Sequence, residues 1–188
     1  MEYRLNTPLT PAALAPLRAG DTVLLSGVVY TARDAAHARM AALLDAGQPL
    51  PFPLRGAAVY YVGPTPERPG CVIGAAGPTT AGRMDSFTPR LLDLGLACMI
   101  GKGKRSEAVK ASVVKNGAVY LGAIGGAGAL MAGSVQSCEV VAWPDLGCEA
   151  VRRLEVRDMP LTVLLDAHGG DLYESGPAAY LAARGARA

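Results

Sequence analysis

Four short apolar runs, each closed by a glycine-, proline- or arginine-marked turn and followed by other structure, constrain this chain more than any other feature. Asp21–Tyr30 (DTVLLSGVVY), Ala57–Val62 (AAVYYV), Leu96–Ile100 and Ala118–Leu121 read as strands. Their apolar character is nearly continuous rather than alternating, so both faces of each strand require cover. That predicts an α/β domain with a largely parallel sheet covered by helices. Helical patterns follow: a short one opened by Thr10-Pro11 and closed by Gly20, Asp34–Asp45, about Ser86–Leu94, about Ser106–Lys115 and a short Ala-rich one ending near Ala132. Cys71–Ala75, Val135–Trp143 and Leu161–Asp166 are further predicted strands, with a short helix near Glu149–Arg153. The 188 residues are expected to form a single domain, with about 174–188 as a C-terminal tail.

Composition narrows the function classes. Eighteen Lys and Arg against 16 Asp and Glu give a net charge of +2, without the basic excess on which nucleic-acid binding draws. Hydrophobic residues make up 51% and charged residues 18%, which supports a packed core and argues against disorder. The N-terminal segment carries Glu2, Arg4 and Arg18 and has no apolar signal core, so a cytoplasmic chain is expected. The uncharged stretch from Asn116 to Cys138 holds six glycines together with Asn116, Ser134, Gln136 and Ser137, a poor composition for a membrane span. Cys71, Cys98, Cys138 and Cys148 form no CxxC pair, and neither histidine stands at zinc-like spacing. The four thiols are expected to be buried and structural.

Three segments join a strand end, a turn and a basic residue: Tyr30-Thr31-Ala32-Arg33-Asp34, Gly77-Pro78-Thr79-Thr80-Ala81-Gly82-Arg83-Met84-Asp85 and Gly101-Lys102-Gly103-Lys104-Arg105. In α/β sheets, ligands bind outside the carboxyl ends of strands. Cations at that rim point to an anionic ligand, and two arginines suit a carboxylate or a phosphate. Phosphate-loop and dinucleotide fingerprints are both incomplete, and no G-x-S-x-G elbow occurs. His37 follows Arg33 by four residues, so one helix face carries both; it reads equally as a catalytic group or as a supporting one. His168, in the turn AHGGD, is expected to be exposed.

The motifs YTARDAAH, YYVGP, GPTTAGRMD, MIGKGKRS, AIGGAGAL and AWPDLGCEAVRRLEVRDMPLTVLLDAHGGDLY occur in this order. Together they resemble the β subunit of two-subunit class I fumarases, the C-terminal domain of single-chain class I fumarases and the β subunit of L(+)-tartrate dehydratase. The resemblance runs from about Leu5 to Tyr173. It implies a swivelling β/β/α domain and a hydro-lyase that is active only with an α subunit, in an (αβ)2 assembly. The α subunit would carry the [4Fe–4S] cluster, with no cofactor or metal ligand in this chain. The family's substrate-binding residues fall on Arg33, Arg83 and Lys102, the cations already singled out by position, and its proton-abstracting threonine on Thr79. Asp34 and Asp85 are expected to orient the neighbouring cations, with His37 in a supporting role. Tartrate dehydratase β subunits tend to read T-C-R-D-V-C-H where this chain has Thr31-Ala32-Arg33-Asp34-Ala35-Ala36-His37. The sequence thus favours fumarate and (S)-malate as the substrate pair. L-tartrate is the alternative, and a non-catalytic carboxylate-binding or assembly module is the alternative of another class.

Overall fold

Ten residues of mostly apolar, β-branched sequence, Thr22–Thr31, form the strand on which the other layers are assembled. The computed structural model describes residues 1–185. In chain order its strands are β1 (Glu2–Asn6), β2 (Thr22–Thr31), β3 (Ala58–Tyr60), β4 (Cys98–Gly101), β5 (Val119–Gly122), β6 (Val135–Ala142) and β7 (Val151–Leu165). The helices are α1 (Pro11–Leu14), α2 (Asp34–Asp45), α3 (Thr88–Asp93), α4 (Glu107–Asn116), α5 (Gly128–Gly133) and α6 (Leu172–Gly185), with 3₁₀ segments at Ala81–Met84 and Pro144–Glu149.

The seven strands lie in the order β1-β2-β3-β4-β5-β7-β6. Strands β1 to β5 pair in parallel, whereas β7 pairs antiparallel with β5, β2 and β6. Six strands therefore run one way and β7 alone opposes them. Because β7 bonds to both β5 and β2, the strands β2-β3-β4-β5-β7 close on themselves and leave no free edge in that ring. The sheet is therefore mixed: β1 to β5 form the parallel part expected from the strand–helix alternation, and β7 adds antiparallel pairings.

Closure creates two cores from alternate residues of the same strands. Val23, Leu25, Ala58, Tyr60, Cys98, Ile100, Val119, Leu121, Leu161 and Val163 share one cluster. Val59, Tyr61, Met99, Tyr120 and Leu164 belong to the other, with Ala36 and Met40 of α2, Leu91 and Leu92 of α3, and Val109 and Val113 of α4. The two-sided burial inferred from the unbroken apolar runs is thus present in β3, β4 and β5. Local signals account for α4: the Ser106 hydroxyl accepts the Val109 N–H at 3.4 Å, Glu107 and Lys115 complement the helix ends, and Gly117 closes it at φ 61°.

Several expectations are overturned. Cys71–Ala75 is an irregular loop rather than a strand. The predicted helix at Glu149–Arg153 is instead the end of a 3₁₀ segment followed by β7, and the strand predicted at Leu161–Asp166 is the second half of that 15-residue strand. The segment expected as a tail is largely α6, and β1 was not anticipated. The uncharged stretch from Asn116 to Cys138 resolves into β5, α5 and the start of β6. No helix among the described residues is long and apolar enough to cross a membrane.

Leu25 is fully buried inside the ring. Leu25→Ala is expected to cost about 2–5 kcal/mol of unfolding free energy, measured by urea denaturation. Leu181→Ala, at a side chain 65% exposed on α6, is expected to change stability by less than about 0.5 kcal/mol.

Candidate active site

The carboxyl ends of β2, β3 and β4 form one rim, and backbone pairing extends it. Beyond β3 the chain loops out and returns: the Thr79 N–H donates to the Tyr61 carbonyl at 2.8 Å, and the Lys102 N–H donates to the Thr79 carbonyl at 3.3 Å. The Ala81 N–H then donates to the Lys102 carbonyl at 2.9 Å, and the 3₁₀ turn Ala81–Met84 presents Arg83. Thr79, Arg83 and Lys102 are therefore set by a single ladder at the end of β4. Arg33 comes from the end of β2, where it is the N-cap residue of α2.

The side chains link into a chain of contacts. An Nη2–H of Arg83 donates to Thr79 Oγ1. Arg83 Nε lies 3.3 Å from Asp34 Oδ1, Asp34 Oδ2 lies 3.7 Å from Arg33 Nη2, and that same Nη2 is 3.1 Å from Glu149 Oε1. Asp34 thus bridges the two arginines. Lys102 is exposed beside them, next to a cleft of about 480 Å³ lined by Thr80, Gly103, Ile124 and Tyr173 among others. Its Nζ lies alongside Gly125, where an added Cβ would come within 3.5 Å. Three cations against two carboxylates leave the rim with one net positive charge, arranged to receive an anion.

Thr79 Oγ1 accepts a hydrogen bond from a guanidinium, which stabilises negative charge on that oxygen and leaves its own proton free for another acceptor. A threonine hydroxyl in that setting can exchange a proton with a ligand once a base is near it.

Asp85 departs from expectation. Its carboxylate accepts from Arg105 Nε at 2.6 Å and from the Ser106 N–H at 2.6 Å rather than orienting Arg83. Arg105 is a core residue: its guanidinium lies over the rings of Tyr61 and Tyr120 at 5.4 and 4.9 Å and donates to Thr88 Oγ1 at 2.8 Å. Lys104 pairs with Glu174 at the surface at 2.9 Å. His37 points into the core, not toward the rim. Its Nδ1 is 2.9 Å from the Arg33 carbonyl, its ring packs edge-on to Tyr61, and Nε2 is buried without a partner. Loss of solvation pushes its pKa down to about 4, so it is a neutral Nδ1–H donor at neutral pH that holds the backbone of Arg33. His168 is exposed, as expected.

Glu149 and Tyr173 are the members of the site that the sequence did not reveal. Glu149 stands 116 positions from the arginine it contacts, and Tyr173, whose hydroxyl oxygen accepts the Gly103 N–H at 2.7 Å, is 70 positions from its partner. No local pattern carries either contact.

The thiols are not the uniform set of buried groups predicted. Cys98 is inside the ring, where burial pushes its pKa up, but Cys71 and Cys148 are exposed and Cys138 is half-buried. Among the described residues no three His, Cys, Asp or Glu side chains converge as a metal site would require. The described residues therefore offer no donor set that fits a cluster.

The geometry thus brings together a helix-covered α/β sheet, a cationic rim, a bridging aspartate and a guanidinium-bound threonine. The Fumarase C-terminus family model matches residues 1–176, and the chain belongs to that family. It is 39% identical over 174 residues to the aerobic class I fumarate hydratase of Escherichia coli K12, covering 90% of this chain and 32% of that protein. It is 40% identical over 156 residues to fumarate hydratase 2 of Leishmania major, covering 82% of this chain and 28% of the relative. Against these enzymes the chain spans about a third of their length. A Methanocaldococcus jannaschii protein provisionally named L(+)-tartrate dehydratase subunit beta is 38% identical over 180 residues, covering 93% of this chain and 92% of that protein.

Two outcomes follow from the buried groups. Asp85→Asn leaves Arg105 in the core without its counter-charge and is expected to cost about 3 kcal/mol, read by chemical denaturation. For His37, the unfolded side chain binds a proton near its ordinary value of 6.5 and the folded one only near 4. Its contribution to stability is therefore fully present above pH 6.5 and lost as pH falls toward 4, by up to about 3 kcal/mol. His37→Gln should remove that slope from urea midpoints measured between pH 7 and 4.5.

Proposed function

We propose that this chain is the β subunit of a class I hydro-lyase that interconverts fumarate and (S)-malate. What carries the reading is the contact chain from Thr79 through Arg83 and Asp34 to Arg33, with Lys102 at the same rim. In this reading the chain takes the swivelling β/β/α fold, works in the cytoplasm and pairs with an α subunit in an (αβ)2 assembly. That α subunit carries the [4Fe–4S] cluster. The reading is supported by the similarity to class I fumarate hydratases, of which this chain spans about a third, and by the near full-length match to a β subunit.

The chemistry required of this chain is modest and suits its residues. A C4 dicarboxylate has two anionic ends about 5–6 Å apart by bond geometry, and two guanidinium forks with one ammonium can neutralise both. Removing a proton from the carbon next to a carboxylate places charge on that carboxylate in the transition state. Arg33 and Arg83 already have carboxylate partners before the ligand arrives, so they meet its carboxylates with little reorganisation, and Lys102 adds a third positive charge at the same rim. Thr79 Oγ1, bound by Arg83, is the group that exchanges the proton; a carboxylate of the α subunit activates it. Asp34 keeps the two arginines at a set separation.

L(+)-tartrate remains the second reading because the relative that this chain covers almost completely carries that name. The chain reads Thr31-Ala32-Arg33 at the β2 rim, which favours fumarate.

The test is anaerobic assembly with the α subunit and absorbance at 240 nm. Fumarate hydration is expected. Arg83→Ala and Lys102→Ala should each lower kcat/KM by at least about tenfold, and unchanged kinetics for both would refute the site. Thr79→Val is expected to lower kcat by at least about a hundredfold, with Thr79→Ser recovering part of it. Turnover of tartrate alone would move the assignment to tartrate dehydratase. Strong fumarate binding by the chain alone, without turnover in the complex, would make it a carboxylate-binding module.

A further inference from the structure

We propose that Glu149 is a positioning residue for Arg33: one carboxylate caps helix α2 and fixes the tilt of the guanidinium that receives a substrate carboxylate. The inference rests on the reading of Arg33 as a substrate ligand.

The N-terminus of α2 has an unusual cap. The N-cap residue is Arg33, in extended conformation, and its side chain cannot accept a hydrogen bond from the first-turn N–H groups. Glu149 supplies the missing acceptor from a distant segment: its Oε2 accepts the Ala35 N–H at 2.9 Å. Its Oε1 lies 3.1 Å from Arg33 Nη2. The two side chains are each only 21% exposed, so the pair is shielded from full solvent screening.

The rest of the guanidinium is held as closely. It lies against Gly63, where a Cβ would come within 2.7 Å of Nη1 and 3.2 Å of Cδ, so only a glycine leaves room for it. Its Nε is closed off from solvent and has no partner. Nη2 lies between the carboxylates of Glu149 and Asp34, so the guanidinium has ion-pair partners on two sides before any ligand binds.

Glu149 is itself anchored. Thr31, the last residue of β2, donates its hydroxyl to the Ala150 carbonyl at 3.2 Å and accepts the Arg152 N–H at 2.9 Å. The Arg152 guanidinium donates to the Gly147 carbonyl at 3.0 Å and to the Cys148 carbonyl at 3.2 Å. The backbone on both sides of Glu149 is therefore tied to the strand that ends next to Arg33. Such a second layer of support is what keeps a ligand-binding side chain in a productive pose.

The test uses the assembled αβ enzyme with Glu149→Ala and Glu149→Gln, each alone and combined with Arg33→Ala. Glu149→Ala is expected to raise KM for fumarate about tenfold and to change kcat by less than about threefold. Glu149→Gln keeps an amide oxygen for the Ala35 N–H but no charge; it should leave the Tm of the chain near the wild-type value while still raising KM. In the Arg33→Ala background, either Glu149 change should cost less than about twofold more, because residues that act through one another are not additive. A lowered Tm with unchanged KM in Glu149→Ala would reduce Glu149 to a helix cap and overturn the proposal. Independent, multiplying losses from Glu149 and Arg33 would overturn it as well. Arg33→Ala with unchanged KM would instead refute the assignment of Arg33 as a ligand, and the positioning role with it.

Discussion

The antiparallel strand β7 is the constraint on which the rest of the structure depends. Its 15 residues hydrogen-bond to β2, β5 and β6 and close five strands into a ring. Closure removes exposed edges and divides the apolar side chains of β3 to β5 between an inner cluster and one under the helices. It also sets the functional rim. Because β7 starts opposite the end of β2, with Arg153 paired to Tyr30, the residues just before it arrive beside Arg33. The fold therefore brings Glu149 to the N-terminus of α2, a contact across 116 positions of sequence.

Electrostatics at the rim follow from this arrangement. Arg33 and Arg83 already carry carboxylate neighbours in the chain, through Glu149 and the shared Asp34. These contacts hold the forks open and oriented at the cost of part of their charge. Lys102 keeps its charge toward the cleft. A second, separate charge system lies beneath: Arg105, Asp85, Tyr61, Tyr120 and Thr88 form a buried polar cluster under the loops that carry Arg83 and Lys102. Its work is to stabilise those loops. His37 serves the same purpose for the Arg33 backbone.

Legibility in the sequence followed the range of each interaction. The strands β3 to β5 announce themselves as continuous apolar runs because both their faces are buried, and α4 because Ser106, Glu107 and Gly117 mark its ends locally. The shared rim position of Arg33, Arg83 and Lys102 was legible because each directly follows a strand or turn signal. The single β7 reads from the sequence as a short helix and a later strand because its first half, VRRLEVRD, is dense in charge and Pro160 stands directly before the apolar run that begins at Leu161. β1 is short and lies at the edge of the sheet, with little apolar content to reveal it. Cys71–Ala75 has the composition of a strand but no partner to pair with. Glu149 and the true partner of Asp85 are products of tertiary closure, which no local window contains.

In the proposed function, Arg33, Arg83 and Lys102 together receive the two carboxylates of one C4 acid. A crystal structure of the assembled enzyme with a bound, non-reacting dicarboxylate tests it most directly. Carboxylate oxygens are expected within about 3 Å of nitrogens from all three side chains, with Thr79 Oγ1 facing the carbon that bears the transferred proton. A dicarboxylate bound elsewhere, with these three cations contacting only protein, would contradict it.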